Sequence, residues 1–433
     1  MSRWFVFAFL GVSQGSGLLV LLPILSIVLL FVKTSVLVTL SLRYYRSRAW
    51  ITEGGPLPKS VTVIVPAYNE ELGIGNTLHS LEQQTFPDLE VLVVNDGSTD
   101  NTEAVASQIA KTMTVRTRVL SKPNGGKADA LNFGLAFVLT DVVLCVDADS
   151  ALARDAVERI VETFADPSVG GVGGLVRLAN RKSLLGRLQA MEYISGLMLL
   201  RAAFAQLHAM QIMSGPISAF RTADLKLIGG YSEDTVVEDF DVTVAMHKAG
   251  HKVLFHPEAI SYTEGPLSLK DLMKQRRRWT YGCFQVLKKH RRQLFTGQIG
   301  WLSRVGLPYI LVFPWIDVIT QILFWATVVY CIVAQKPVTF GLFIAVLAGM
   351  TFALSMYAVQ MAHENRWLAV WGILIPLSYQ HLIAFVTLTT GIKFLLRREA
   401  SWGTLERHGE NALPVGIYDF VGGMPDKPVP RDE

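Results

Sequence analysis

Asp147-Ala148-Asp149 follows the apolar run Val142-Val143-Leu144-Cys145-Val146. Two carboxylates one residue apart at the end of a buried strand reach a common site. Hard oxygen donors suit Mg2+ or Mn2+, which would also bind a diphosphate. A solvated acidic turn explains the pair equally well. Asn95-Asp96-Gly97-Ser98-Thr99-Asp100 ends a second apolar run. Gly97 permits a sharp turn, and Ser98 or Asp100 can cap a helix. That reading leaves Asp96 unused, free to accept a hydrogen bond from a base N–H. Lys122-Pro123-Asn124-Gly125-Gly126-Lys127 opens onto a helix. It is either an anion site made of the helix N-terminus and Lys127 or a surface turn, and it lacks the Walker spacing. In Val236-Val237-Glu238-Asp239-Phe240-Asp241, three carboxylates fall within four positions. One of them can act as a general base, or all can serve a helix start. In Gln275-Arg276-Arg277-Arg278-Trp279, residues Gln275, Arg278 and Trp279 at i, i+3 and i+4 share a helix face. That face offers a guanidinium to phosphate and an indole to a sugar ring. The alternative is a basic helix lying on lipid headgroups.

The elements that must position these residues alternate in type. A Gly/Pro linker at 51–59 precedes them. Strands are predicted at 61–65, 89–94, 116–120 and 142–146, and helices at 72–84, 102–112 and 128–139. This alternation argues a doubly wound, Rossmann-like, mostly parallel sheet. Ligands of such sheets bind outside the carboxyl ends of the strands. The polar clusters sit at those ends, Pro66-Ala67-Tyr68-Asn69-Glu70 among them.

The 433 residues are 51% hydrophobic, and their mean hydropathy of +0.35 is high for a water-soluble enzyme. The apolar residues pile up at both ends. Residues 17–42 carry Lys33 as their only charge. That stretch exceeds a signal-peptide core of ~7–15 residues and matches the ~20 needed to span a bilayer. Arg43, Arg46 and Arg48 follow it, which places the next residues in the cytoplasm. Further apolar blocks lie at 305–334, 338–361 and 367–396. The first holds Pro308, Pro314 and Asp317, so it is expected to be broken, with 301–315 as a separate pass or re-entrant piece. Such a break would keep Arg397, Arg398 and Trp402 inside.

The net charge of +4 is local: Lys270, Lys274, Arg276, Arg277, Arg278, Lys288, Lys289, Arg291 and Arg292 are opposed there only by Asp271. Lying directly before a membrane block, this stretch fits a cytoplasmic lipid surface rather than nucleic acid. Cys145, Cys283 and Cys331 show no metal or disulfide spacing, as suits a reduced cytoplasmic domain. The tail from residue 419 is rich in Pro, Gly and charge and is expected to be disordered. The expected divisions are 1–50 (membrane segment), 51–265 (catalytic domain), 266–300 (basic interfacial helices), 301–400 (membrane helices) and 401–433 (cytoplasmic tail).

Taken in order, Pro66 to Glu70, Asn95-Asp96-Gly97-Ser98, the Lys127 loop, Asp147-Ala148-Asp149, Gly215 to Arg221, Glu238-Asp239 and Gln275-x-x-Arg278-Trp279 resemble the processive family-2 glycosyltransferases. That group holds the cellulose, chitin and hyaluronan synthases, and the resemblance covers nearly the whole chain. The compact size, the Glu364-Asn365-Arg366 loop and the layout of the last membrane blocks are most similar to bacterial poly-β-1,6-N-acetylglucosamine synthases.

The resemblance implies an α/β GT-A-like catalytic domain in the cytoplasm, α-helical transmembrane segments, and a multi-pass place in the inner (plasma) membrane. It implies a UDP-sugar donor, a growing glycan acceptor and a Mg2+ or Mn2+ cofactor. A small membrane accessory subunit and a cyclic-dinucleotide regulator stay open. Tyr68, Glu70 and Asp96 would hold the uridine, and Lys127 and Asp147 would contact the diphosphate and donor sugar. Asp149 would bind the metal, and Asp239, beside Glu238, would be the general base of an inverting displacement. Gly215 to Arg221 would line the acceptor site. Gln275, Arg278 and Trp279 would bind the diphosphate and the glycan end.

Val237 departs from the family's usual Thr, which removes a hydroxyl near the base. Ser401-Trp402-Gly403-Thr404 resembles a gating segment. Trp315, Asp317, Gln321, Trp325, Gln360 and Gln380 are candidates to line a glycan exit, since polar groups in lipid are expensive. Ordinary interhelical hydrogen bonding explains any one of them as well. The alternatives are a hyaluronan, chitin-oligosaccharide or cellulose synthase, a lipid-linked monosaccharide transferase, or an inactive nucleotide-binding scaffold. Intact Asp149, Asp239 and Arg278 argue against the scaffold.

Overall fold

The computed structural model describes residues 17–397 and Gly409. Arg398, the expected gating segment at 401–404 and the tail lie outside the described residues.

Strands β1 (Val61–Ala67), β2 (Leu89–Asp96), β3 (Arg116–Lys122), β4 (Val142–Cys145), β5 (Ser150–Leu152), β6 (Val169–Leu178), β7 (Ser218–Arg221) and β8 (Lys252–Thr263) form one eight-stranded sheet in the order β3-β2-β1-β4-β7-β6-β8-β5. The first four pair in parallel. Beyond them β7 runs antiparallel to β4 and β6, β8 parallel to β6, and β5 antiparallel to β8. Val63, Ile64 and Val65 of β1 and Val91, Leu92, Val93 and Val94 of β2 are fully buried. A strand covered on both faces reads as a continuous apolar run, which is why these were visible in the sequence.

The register sets the site. Ala67 pairs with Asn95, and Asn95 with Ser121, so β1, β2 and β3 end flush. The loops leaving them therefore share one rim with Asp147, which follows β4.

The Gly17–Ser47 helix continues from its apolar stretch onto the sheet domain. Tyr44 is fully buried there, and its hydroxyl donates to Phe255 O of β8 at 2.5 Å. Among the described residues, four segments are long and apolar enough to cross a membrane: Pro23–Ser47, Leu302–Val333, Pro337–Met361 and Arg366–Leu395.

The break expected in the first block after the domain is absent. A π-helical turn, Leu302–Gly306, runs straight into the Leu307–Val333 helix. Pro308 falls at the junction with the widened turn and Pro314 inside the helix, and the helix runs on through both. The irregular segment is instead the last one, built of a 3-10 stretch Arg366–Leu374, a π-helical turn Ile375–Tyr379 and the helix Gln380–Leu395. Both its ends touch the part of the chain between the first membrane-length helix and the later ones. Glu364, just before it, pairs with Arg177 at 3.4 Å and Arg181 at 2.9 Å. Phe394 packs on Tyr281 and Phe284, with ring centroids 5.3 and 5.4 Å apart. Its middle reaches the Leu307–Val333 helix, where His381 packs on Phe324 and Trp325.

Candidate active site

The rim loops are fastened by their own side chains. Asn69 adopts a positive φ of 55°, and its Oδ1 accepts from Thr99 N at 2.8 Å, while Asn69 N donates to Ser98 Oγ at 3.1 Å. These bonds tie the β1 and β2 loops together and set the exposed Tyr68 and the half-buried Glu70 beside them. Asp96 is buried and accepts from Lys122 Nζ at 2.7 Å, Gly125 N at 2.9 Å and Gly126 N at 2.8 Å. The carboxylate thus pins the 122–126 loop. It can accept about four hydrogen bonds, so room for one donor remains. Lys122 is the partner that sequence reasoning passed over.

Gly126, at φ 90°, starts the Lys127–Leu135 helix and turns Lys127 into the site. Its ammonium lies 2.5 Å from Asp147 Oδ1 and 3.1 Å from Glu238 Oε1. Burial alone would lower the Lys127 pKa, but the Asp147 and Glu238 carboxylates outweigh it and raise it. A Cβ built on Gly215 would lie 2.9 Å from Lys127 Nζ and 3.5 Å from Asp147 Oδ2. A side chain there would displace the ammonium.

Glu238 and Asp239 open the Glu238–Lys248 helix. Asp239 Oδ1 accepts its neighbour's N–H, Phe240 N, at 2.8 Å. Burial first, then the Glu238 charge, push its pKa up to about 6, against the pull of Lys127, the Phe240 N–H and Arg278. A carboxylate poised there accepts a proton near neutral pH. The third acid of the cluster belongs elsewhere: Asp241 binds His290 at 2.7 Å and Lys289 at 2.8 Å.

The Leu269–Lys289 helix supports this end. Arg278 Nη1 reaches Val236 O at a long 3.5 Å, and Gln285 Oε1 accepts from Val236 N at 3.1 Å. Val237 packs on Gly282, where a Cβ would meet both valine methyls at 2.6 Å. The expected hydroxyl position is therefore an apolar contact between two helices. Gln275 and the half-buried Trp279 sit on the same helix, and Trp279 packs against the domain core. Arg276 does not lie on a lipid surface as expected. It is buried at 4% exposure. Arg201, also missed, is near enough to Asp239 for their charges to interact, while burial lowers its pKa to about 10.

Arg221 is not at the site. Its Nε donates to Val169 O at 2.9 Å, and its Nη2 to Phe164 O at 2.5 Å and Asp166 O at 3.0 Å. Because β7 runs antiparallel, Ser218 pairs with Cys145 at the site end and Arg221 with Val142 at the far end. Of the membrane candidates, Asp317, Gln321 and Gln380 line one cavity with Ser26 and Lys33. Lys33 Nζ lies 2.6 Å from Asp317. Trp315 stacks on Phe284 instead, and Trp325 and Gln360 are exposed.

Asp149 is buried, and its Oδ1 accepts from Ser150 Oγ at 3.1 Å and Thr263 Oγ1 at 3.4 Å, which fixes its orientation. Among the described residues, no group of three or more His, Cys, Asp or Glu could hold a metal ion. Asp147 and Asp149 alone fit an ion of the Mg2+ type, which ordinarily takes one or two carboxylates and completes its shell with water and substrate phosphate.

Residues 58–282 match the family model described as "Glycosyltransferase like family 2". The chain is 30% identical over 282 residues to a poly-beta-1,6-N-acetyl-D-glucosamine synthase of Staphylococcus epidermidis, covering 65% of this chain and 66% of that one. It is 32% identical over 230 residues to a synthase of the same name from Staphylococcus aureus (strain COL), covering 53% and 56%. The chain therefore spans just under two thirds, and little over half, of these relatives' lengths. The structure resembles a mannosyltransferase from Pyrobaculum calidifontis, solved with GDP-Man and Mn2+, at a TM-score of 0.58 and 22% identity, covering 87% of this chain and 100% of that one. The catalytic domain is GT-A-like.

Proposed function

The chain belongs to glycosyltransferase-like family 2, and on that premise we propose that it polymerises poly-β-1,6-N-acetylglucosamine from UDP-GlcNAc by a single inverting displacement. The observation that carries this reading is Asp239, half-buried, with its pKa raised to about 6 by desolvation and the Glu238 charge, beside Lys127 and Arg278. The names of the Staphylococcus relatives support the choice of sugar.

Asp239 takes the proton of the acceptor hydroxyl as the oxygen attacks the anomeric carbon. The new C–O bond forms while the bond to the diphosphate breaks, so an α-linked donor gives a β-linked product. Negative charge gathers on the departing UDP, and Lys127 and Arg278 meet it. Tyr68, Glu70 and Asp96 hold the uridine, with Asp96 also fixing the loop that carries Lys127. Glu238 keeps Lys127 charged and Asp239 weakly acidic. Gln275, Arg278 and Trp279 take the diphosphate and the glycan end, and Gly215 keeps the floor open. Asp149, with Asp147 beside it, would hold a Mg2+ or Mn2+ ion, which supplies further positive charge for the diphosphate.

The chain lies in the plasma membrane with the catalytic domain in the cytoplasm. Three helices cross, and the 366–395 segment enters and returns, so Gln335 and Arg397 face opposite sides. Contact of both ends of that segment with the catalytic unit supports this topology. The glycan leaves past the polar cavity of Lys33, Asp317, Gln321 and Gln380.

The test uses the purified protein in nanodiscs with Mg2+ or Mn2+ and a panel of UDP-sugars, reading UDP release and product linkage. UDP release with UDP-GlcNAc and a β-1,6 polymer is expected. Release with another sugar alone reassigns the donor, and release with none overturns the enzymatic reading.

A further inference from the structure

Arg276 occupies an unassigned position inside Gln275-x-x-Arg278-Trp279, and the structure surrounds it with contacts. Its guanidinium carbon lies 4.1 Å from the centre of the Trp279 ring and 6.0 Å from that of Tyr193. Its Nη1 donates to Gln275 Oε1 at 2.6 Å. Its Nη2 pairs with Glu192 and donates to Tyr379 Oη at 3.2 Å. Tyr379 Oη in turn donates to Glu192 Oε2 at 2.7 Å. One buried side chain therefore touches both Gln275 and Trp279, the two motif residues at either end.

The anchoring groups come from two other parts of the chain. Glu192 opens the π-helical turn Glu192–Met198 of the catalytic domain, and Tyr379 closes the π-helical turn Ile375–Tyr379 in the irregular membrane segment. Widened turns of this kind are rare and recur at functional sites. Lysine could not make this set of contacts. A planar guanidinium stacks on an indole while its separate N–H groups serve several acceptors, whereas an ammonium is a single point charge.

We propose that Arg276 is the positioning residue of the acceptor platform: it holds the Trp279 indole and the Gln275 amide in place, and through Glu192 and Tyr379 it ties that platform to the membrane segment at 366–395. The inference rests on Trp279 as an acceptor contact. Arg276 itself touches no reacting atom. It sets the geometry that the glycan end meets, and a shift of the membrane segment is felt at the platform through Tyr379. A buried group held by Gln275, Glu192, Tyr379 and the Trp279 ring couples their positions, because moving one strains its contacts with the others.

The experiment compares R276K, Y379F and W279A with the parent protein in nanodiscs. It uses UDP-GlcNAc and a short β-1,6-linked N-acetylglucosamine oligosaccharide as probes. Steady-state transfer gives kcat and the acceptor KM, UDP binding is measured separately, and melting temperature reports folding. R276K is expected to raise the acceptor KM roughly tenfold, the scale of a desolvated cation–π contact. Products should shorten, while kcat at saturating acceptor and UDP affinity stay near parental values. Y379F keeps the ring and loses only the hydroxyl, so it should shift KM the same way by roughly twofold to fivefold. It serves as the readout if R276K does not fold. W279A raising the acceptor KM while R276K and Y379F leave it unchanged overturns the positioning role alone. W279A leaving the KM unchanged overturns the acceptor reading of Trp279 beneath it. A loss of kcat without a change in KM in R276K also overturns the proposal.

Discussion

Two aspartates at opposite ends of the sheet show how differently one fold treats a carboxylate. Asp166, at the far end, accepts from Ser168 Oγ at 2.6 Å and Ser168 N at 2.8 Å and pairs with Lys252 at 2.9 Å. The Ser168 hydroxyl first, helped by Lys252, lowers its pKa to about 2. Asp239, at the rim, receives one backbone N–H, is half-buried and partly desolvated, and faces the Glu238 charge, so its pKa rises to about 6. The far end spends its hydrogen bonds on keeping a charge comfortable. The rim withholds them and leaves a carboxylate that gains by taking a proton. Perturbation in that direction, among the side chains gathered at the rim, marks chemistry rather than architecture.

The strongest way to break this comparison is Asp239→Asn. Turnover should fall by roughly 10²–10⁴-fold, the usual contribution of a positioned base. Melting temperature should hold or rise, because the substitution removes a poorly solvated charge that faces Glu238, and UDP binding should survive. Near-normal turnover in a folded protein would return Asp239 to the structural class.

The next largest effect is on pH. Below about 6 Asp239 is protonated, so turnover should drop roughly tenfold per unit. Stability should move the other way. A carboxylate whose folded pKa is raised contributes stability that is full below its unfolded value and lost as pH rises through about 6. Asp166 has the opposite sign: its contribution is present above an unfolded value of about 3.9 and is lost only as pH falls through about 2. Between pH 7 and 5 turnover should therefore fall more steeply than stability, which neither aspartate erodes there, although His247 and His256, with pKa values lowered by burial to about 4 and 3, do. Parallel loss of both, followed by activity and thermal melts on one sample, would mean that unfolding sets the acid limb.

Much of this contrast was legible in the residues. The runs in β1, β2 and β4 are β-branched or aliphatic and buried on both faces, so they announce themselves, and the polar clusters that end them fall on one rim. The other half of the sheet was hidden. β6 reads Val169-Gly-Gly-Val-Gly-Gly, a composition that argues against a strand, yet all of it is buried. Its glycines answer to distant neighbours: a Cβ on Gly174 would lie 2.6 Å from Ala259 O. No local pattern carries that information. Arg221 was misplaced for a similar reason. The resemblance carried the Gly215-to-Arg221 stretch to the acceptor site as one piece, but the direction of β7 sends its last residue away. Arg276 was hidden in a run of like charges, where burial of one member depends on Glu192 and Tyr379, far off in the chain.

A smaller test returns to the far end. Arg221→Met removes the donor to the carbonyls of Val169, Phe164 and Asp166, and Arg221 also lies over the Phe164 ring at 5.3 Å. Leaving buried carbonyls unpaired should cost about 2–3 kcal/mol of stability. Turnover per folded molecule should stay within roughly twofold, since separated sites act independently. Denaturant melts and specific activity on the folded fraction measure the two. Loss of turnover at parental stability would put Arg221 back at the acceptor site.

The smallest expected effect is the most discriminating about the rim itself. Val237 precedes both carboxylates but faces Gly282, and its methyls fill the space that a Cβ there would take. Val237→Thr exchanges one methyl for a hydroxyl without changing the shape. The hydroxyl would enter an apolar contact between helices, at a cost of about 1–3 kcal/mol if no partner is found. It should leave the base untouched, because Asp239 owes its pKa to burial, Glu238, Lys127 and Arg278 rather than to residue 237. Turnover should then change by less than roughly threefold at unchanged acid limb. A gain of tenfold, or a shift of the acid limb away from about 6, would mean that residue 237 reaches the base after all. The boundary between packing and chemistry would then run on the other side of it.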